Sequence, residues 1–194
     1  RQEHKKTISE KGGNLTLLVF VLKAVASVLR RFPRFNASLD ARNQEIILKK
    51  YYHIGTAVDT EQGLIVPVIR DVDEKSITEL AIEMNEMVSR IRNGEASLEE
   101  LQGGCFTITN VGILGGTDFS PIINYPEVAI LGMARAAWKP VIKRAEDNTE
   151  ITARYMLPLI LGFDHRVNDG ADAARFMNEL IDMLEDPDKL LIQL

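Results

Sequence analysis

The sequence has one cysteine, Cys105, among 194 residues, so no disulfide framework holds the fold and a reducing compartment is compatible. It has three histidines, His4, His53 and His165, and no two stand at ligand spacing, which argues against a metal centre. It has no excess of basic residues. With 23 Lys and Arg against 28 Asp and Glu, the net charge is −5, and no basic stripe marks a nucleic-acid partner. Long apolar runs are also missing: Leu15 to Leu29 is broken by Thr16, Lys23 and Ser27 and falls short of the roughly 20 residues a membrane span needs. There is no internal repeat or low-complexity linker, and we expect no signal peptide. What remains is 45% hydrophobic and 26% charged, an ordinary globular composition for one domain. A chain of this size buries about 70% of its unfolded surface, so it needs no staples. The first residue is Arg1, not methionine, and we expect an excised domain.

Patterning predicts the elements in order. Residues 1–13 start in a helix and reach a loop at Gly12-Gly13, after which Asn14 caps a buried helix that runs to Arg31 and ends at Pro33. Phe35 to Leu39, Glu45 to Tyr51 and His53 to Asp59 read as strands. A turn at Gly63, expected at positive φ, returns the chain as Leu64 to Ile69, with Pro67 marking an edge or irregular position. Ser76-Ile77-Thr78-Glu79 is a capping box for a helix to Asn93, and Ser97-Leu98-Glu99-Glu100 repeats the signal for a short second one. Cys105 to Val111 is a strand that feeds a glycine loop. Val128 to Ala137 and Ile151 to Leu161 read as buried strands joined through a charged tip, and the last helix covers Ala171 to Leu184 before an apolar tail. Hairpins mixed with separate helices predict an α/β fold, a two-layer sandwich with helices on a mixed sheet.

Phe163-Asp164-His165-Arg166-Val167-Asn168-Asp169-Gly170 places a histidine where a strand gives way to a helix. Such a junction holds a side chain on a rigid scaffold with one side open, and a neutral imidazole takes and returns a proton near pH 7. Taken alone, a histidine at a strand end is more often a hydrogen-bonded structural residue. Thr107 and Thr109 share one face of their strand, and Thr109 could donate a hydroxyl to an oxyanion, although threonine is also simply a good strand former. Gly112, Gly115 and Gly116 fit no phosphate-loop or dinucleotide fingerprint, and a tight turn or close backbone approach explains them better.

Taken together, these stretches resemble a known family. Asp164 to Gly170 is similar to the Asp-His-Arg-x-x-x-Gly motif of the dihydrolipoyl acyltransferases, core components of the 2-oxo acid dehydrogenase complexes, whose fold chloramphenicol acetyltransferase shares. Phe35 to Ser38, Gly55 to Pro67, Gly104 to Gly112, Pro126 to Gly132 and Asp186-Pro187 with Leu190-Leu191 extend the resemblance over the chain in family order.

The resemblance implies that His165 is a general base on the thiol of coenzyme A or dihydrolipoamide, that Thr109 is the oxyanion donor, and that Asp169 orients the site. It implies coenzyme A contacts at Arg1, Thr16, Asp59 and Asn110, with Phe119 lining the channel, and no metal. Asn168, where many relatives carry a hydrophobic residue, is a departure we expect to be tolerated. The implied assembly is a homotrimer with each active site between neighbouring chains, docked by the apolar tail into a 24-mer or 60-mer. The implied partners are the decarboxylating dehydrogenase and dihydrolipoamide dehydrogenase, reached through domains other than this one, and a lipoyl group carried on a separate domain. Residues 1–194 would then be an N-terminally truncated catalytic core, from a bacterial cytoplasm or a mitochondrial matrix. Gly115-Gly116-Thr117 followed by Pro126 to Gly132 resembles the acetyl and branched-chain transferases more than the succinyl one, and Met156 to Leu159 favours acetyl. A non-catalytic core subunit and an acyltransferase of small hydroxylated molecules are the competing readings.

Overall fold

The computed structural model describes residues 4–145, 148–186 and 188, with side chains throughout except at 143–145, 148 and 149. Helices α1 (Lys5–Glu10) and α2 (Leu17–Arg31) lead through a 3-10 turn, Pro33–Phe35, to the hairpin β1 (Ala37–Asp40) and β2 (Glu45–Leu48). Then come β3 (Ile54–Thr56), β4 (Val58–Thr60), β5 (Gly63–Ile65), β6 (Val68–Ile69) and α3 (Ile77–Arg92). The second half holds β7 (Phe106–Asn110), β8 (Ala129–Met133), β9 (Ala137–Ala145), β10 (Asn148–Met156), β11 (Leu159–Phe163) and α4 (Gly170–Glu185).

Five strands form one mixed sheet in the order β11-β8-β7-β3-β6. The β3-β7 and β7-β8 pairs are parallel, and the two outer pairs are antiparallel. The expected helices-on-mixed-sheet architecture is therefore present.

The two faces of this sheet differ because side chains alternate along each strand. Ile54, Phe106, Ile108, Ala129, Leu131 and Met133 point to one face and pack under α2, α3 and α4, each at most 1% exposed. Phe176 of α4 sits at the centre of that layer, with its ring 4.7 Å from Phe35 and 6.1 Å from Phe106. Lys23 of α2 is buried in the same layer and donates to the Asp73 and Lys75 carbonyls, both at 2.7 Å. The other face carries Gly55, Thr107, Thr109, Ile130, Gly132 and Gly162, and no helix among the described residues covers it.

Several expectations need correction. Thr16, not Asn14, is the N-terminal cap residue of α2; the Asn14 N–H is instead donated to the Ala81 carbonyl of α3. The run His53 to Asp59 is not one strand. It breaks at Ala57, so that β3 pairs within the main sheet while β4 pairs only with β5. The returning run likewise splits around Pro67, which cannot donate to a ladder but whose carbonyl accepts the Thr56 N–H at 2.9 Å. The second Ser-x-x-Glu signal forms both reciprocal bonds between Ser97 and Glu100 yet continues only as a 3-10 turn, Glu99–Leu101. The largest difference is the hairpin β9-β10. Of the two runs read as buried strands, only the β8 part is fully buried and β11 is half-buried, while Trp138, Ile142, Ile151 and Tyr155 on the hairpin are 54–71% exposed.

Other expectations hold. The Ser76 capping box has both its bonds, Gly63 has φ +116°, and Gly94 at φ +78° follows α3. The apolar tail and Pro187 lie outside the described residues.

Candidate active site

The turn that carries His165 is fixed by its own chain. The Asp164 N–H is donated to the Val128 carbonyl at 2.8 Å, and the Asp164 carbonyl accepts the N–H groups of Val167 and Asn168, both at 3.0 Å. The Arg166 guanidinium grips the Asp164 carboxylate with two nitrogens, at 3.0 and 2.6 Å, and holds its pKa below the usual carboxylate range. Asn168 is buried and its amide donates to the Arg34 carbonyl at 3.2 Å, which ties the turn to the α2-β1 corner. Its polar character is therefore used rather than merely tolerated.

Asp169 caps α4 by accepting the Asp172 N–H at 2.8 Å. That bond first, and then lesser influences that include His165, hold its carboxyl below the ordinary range. The imidazole of His165 itself is exposed, with its ring 5.6 Å from that of Phe163.

The other two chemically interesting side chains are otherwise engaged. His53 is partly buried, its Nδ1 accepts the Asp71 N–H at 3.1 Å, and burial lowers its pKa, so its imidazole serves as a neutral acceptor. The Cys105 thiol is fully buried, lies 3.1 Å from the His53 carbonyl, and is pushed up to about 12 by burial, which leaves it protonated and inert.

Thr109 lies at the far end of the sheet from His165. Register makes this plain: Thr109 is paired with Gly132 near the end of β8, whereas Phe163, just before the His165 turn, is paired with Ala129 at its start. Three residues along the strand, two strand spacings across and two more residues to His165 separate them by roughly 15–20 Å. Helix α4 spans the same distance. It starts beside His165, and its Ile181 and Leu184 reach Leu17 and Leu159 at the opposite end.

The remaining candidates gather at the Thr109 end. Half-buried Asn110 follows Thr109, and its Oδ1 accepts the Gly112 N–H at 3.0 Å. Asp59 is exposed on β4, which runs beyond the level of Ile108 because the Ala57 N–H is donated to the Ile108 carbonyl. Thr16, half-buried, precedes Leu17 at the same end. Phe119 lies on Gly132: a Cβ there would stand 2.6 Å from the ring's Cζ. Gly112 is needed for a close backbone approach, since a Cβ on it would meet the Ala134 carbonyl oxygen at 2.6 Å. Arg1 lies outside the described residues. Within one chain, then, Thr109, Asn110, Asp59, Phe119 and Thr16 are brought to one end and His165 with Asp169 to the other.

The family model for the 2-oxoacid dehydrogenases acyltransferase (catalytic domain) matches residues 1–192. The chain belongs to this family. It is 49% identical over 189 residues to the dihydrolipoyllysine-residue acetyltransferase component of the pyruvate dehydrogenase complex of Pseudomonas aeruginosa, with 97% of this chain and 34% of that protein covered. The equivalent component of Bacillus subtilis is 42% identical, with all of this chain and 43% of that protein covered. The chain thus spans between a third and a half of these relatives. Among solved structures, Azotobacter vinelandii dihydrolipoamide acetyltransferase, in work on the role of a serine, a histidine and an asparagine in its catalytic mechanism, matches with TM-score 0.92 and 47% identity over 98% of this chain and 77% of that one. The cubic core of the pyruvate dehydrogenase multienzyme complex matches at 0.91 and 46%, over 97% of this chain and 76% of that one. Chloramphenicol acetyltransferase, at 0.55 and 12% identity over 87% and 78%, shares the fold.

What sequence reasoning missed at the site is the burial of Glu127. This residue stands in the Pro126 to Gly132 stretch and is 7% exposed, the one buried acid among the described residues. The buried run read from the sequence begins one residue later, at Val128, and a charged residue just before it carries no signal of its own burial.

Proposed function

We propose that residues 1–194 are the catalytic core domain of a dihydrolipoyl acetyltransferase, which moves an acetyl group between coenzyme A and the dihydrolipoyl group of a separate lipoyl domain. His165 takes the proton of the attacking thiol, whose ordinary pKa near about 8.5 suits an imidazole base. The thiolate sulfur then forms a bond to the thioester carbonyl carbon, and the hydroxyl of Thr109 donates to the oxyanion. Collapse breaks the original carbon–sulfur bond, and the departing thiolate takes the proton back from His165. The proton balance closes, and no covalent acyl-enzyme is required. The Azotobacter relative, studied for the role of a serine, a histidine and an asparagine in its catalytic mechanism, supports a hydroxyl, an imidazole and a polar partner as the working groups, which we assign to Thr109, His165 and Asp169. Asp169 carries a negative charge near the imidazole and steadies the cation that forms on it. Asp59, Asn110, Thr16 and Arg1 are assigned to coenzyme A, and Phe119 to the channel.

The observation that carries the reading is the separation of His165 from Thr109, which leaves each chain with two half-sites. A cyclic trimer joins them, because each copy offers its His165 end to the Thr109 end of the next. The exposed hairpin face supports this: Trp138 is registered with Tyr155 and Ile142 with Ile151, an apolar stripe that calls for a partner surface. Such trimers would build the core, which is cubic in the complex matched above. We assign the lipoyl group and the dehydrogenase contacts to other domains of a longer protein. The bacterial relatives favour a bacterial cytoplasm over a mitochondrial matrix.

The test is the rate of acyl transfer to dihydrolipoamide from acetyl-, isobutyryl- and succinyl-coenzyme A in the assembled protein. The acetyl donor should be preferred, and His165→Ala should lower kcat by about 10²–10⁴. A succinyl preference would overturn the acyl assignment, and near-normal turnover of the variant would overturn the base.

A further inference from the structure

Segment 119–128 crosses the open face of the sheet and joins its two ends. At its start the Phe119 ring occupies the space over Gly132, the residue registered with Thr109. Further on, Pro121 covers Gly162: a Cβ there would meet the Pro121 carbonyl oxygen at 3.2 Å. At its end the Val128 carbonyl accepts the Asp164 N–H at the root of the His165 turn.

Glu127 is the buried polar residue of this segment. Its side chain enters the sheet beside Gly104, where a Cβ would lie 2.9 Å from Oε1, and faces the hydroxyl of Thr107. Thr107 is two residues before Thr109 on the same strand face. Glu127 Oε2 and Thr107 Oγ1 are both buried without a hydrogen bond of normal geometry. A cleft of about 190 Å³ opens beside the carboxyl, lined by Leu39, Tyr125, Asp164 and Arg166 among others. A hydrocarbon side chain would fill the same volume without the cost of burying a carboxyl. An acid kept there against that cost points to a task that depends on direction rather than on volume.

We propose that Glu127 is a positioning residue for acyl transfer. Wedged between Gly104 and Thr107, its carboxyl holds segment 119–128 on the sheet, and so keeps Phe119 beside Thr109 and the Val128 carbonyl beneath the His165 turn. This rests on the assignment of His165 and Thr109 as the two halves of the site.

The charges around Glu127 define its behaviour. Lys49, whose ammonium lies 3.3 Å from the Gly104 carbonyl, and the Thr107 hydroxyl favour the ionised form. Burial outweighs both and pushes Glu127 up to about 7. The Cys105 thiol and Tyr125 phenol are its other titratable neighbours, while Asp164 and Arg166 neutralise one another. Below about pH 7 the buried acid is predominantly neutral. A raised carboxyl pKa means that the folded chain holds the proton more tightly than the unfolded one. Stability therefore falls as pH rises from the ordinary carboxylate range through about 7.

The experiment uses the assembled protein with Glu127→Gln and Glu127→Ala, and His165→Ala in parallel. Acetyl-transfer kinetics are measured from about pH 6 to about pH 8, with urea midpoints and sedimentation. Glu127→Ala should lower kcat about tenfold or more, with KM changed by less than about threefold. Glu127→Gln should rescue kcat, flatten the fall of the urea midpoint with pH, and show a ratio to wild-type kcat that rises about threefold or more between pH 6 and 8. Wild-type kcat in Glu127→Ala, or a Glu127→Gln profile that superposes on wild type, would overturn the proposal. Should Glu127→Ala fail to assemble, the Glu127→Gln profile and midpoint slope decide the matter. If His165→Ala stays active, the underlying site assignment fails instead, which separates the two outcomes.

Discussion

The two ends of the central sheet are held by different kinds of interaction. At the His165 end the geometry is local. Asp164, Arg166, Val167, Asn168 and Asp169 bond largely to one another or to the first turn of α4, and only the Val128 and Arg34 carbonyls are drawn in from afar. At the Thr109 end the geometry comes from distant parts of the chain meeting over missing side chains. Gly112 is pressed on Ala134, Phe119 on Gly132, and the Arg135 N–H is donated to the Gly116 carbonyl at 2.7 Å. The base thus sits on a turn shaped mainly by its own residues and anchored at Val128 and Arg34, and the oxyanion donor sits in a packed interface of strands and loops.

The comparison can be broken first at the chemistry of the Thr109 end. Thr109→Ala removes a hydroxyl but leaves the strand, and should cost about 2.7–4 kcal/mol of barrier, read as a roughly 10²–10³-fold fall in kcat with little change in KM. A smaller sharpening uses two glycines, one from each end. Gly132→Ala forces Phe119 aside and should destabilise the fold by about 1–3 kcal/mol, with loss of activity. Gly170→Ala meets nothing within 4 Å at the start of α4 and should be neutral, or stabilising by about 0.4–1 kcal/mol. Urea denaturation of both variants checks the contrast, which disappears if they behave alike.

The same difference decides what was legible in the sequence. The His165 junction, the Ser76 capping box and the positive φ at Gly63 are local events, and residue types within four positions specify them. The break at Ala57 was hidden, because period-2 alternation continues unaltered when a strand leaves one sheet for another. The run Ile151 to Leu161 was read as buried because it is largely apolar, yet Ile151 and Tyr155 stand exposed with Trp138 and Ile142 on a hairpin that no described element covers. Gly132 and Gly162 look like ordinary weak points in strands until segment 119–127 is laid across them. Thr109 was identified by resemblance alone, and its distance from His165 became visible only through the strand register.

The account stands or falls on that distance. Its most direct test mixes His165→Ala chains with Thr109→Ala chains, unfolds and reassembles them together, and measures acetyl transfer. Each pure assembly should be nearly inactive. In a randomly mixed one-to-one trimer, about a quarter of the neighbour pairs bring an intact His165 to an intact Thr109, so activity should recover to about a quarter of wild type. If both residues worked within one chain, no mixed pair would be complete. Activity would then stay at the average of the two inactive parents, and the shared-site account would be wrong.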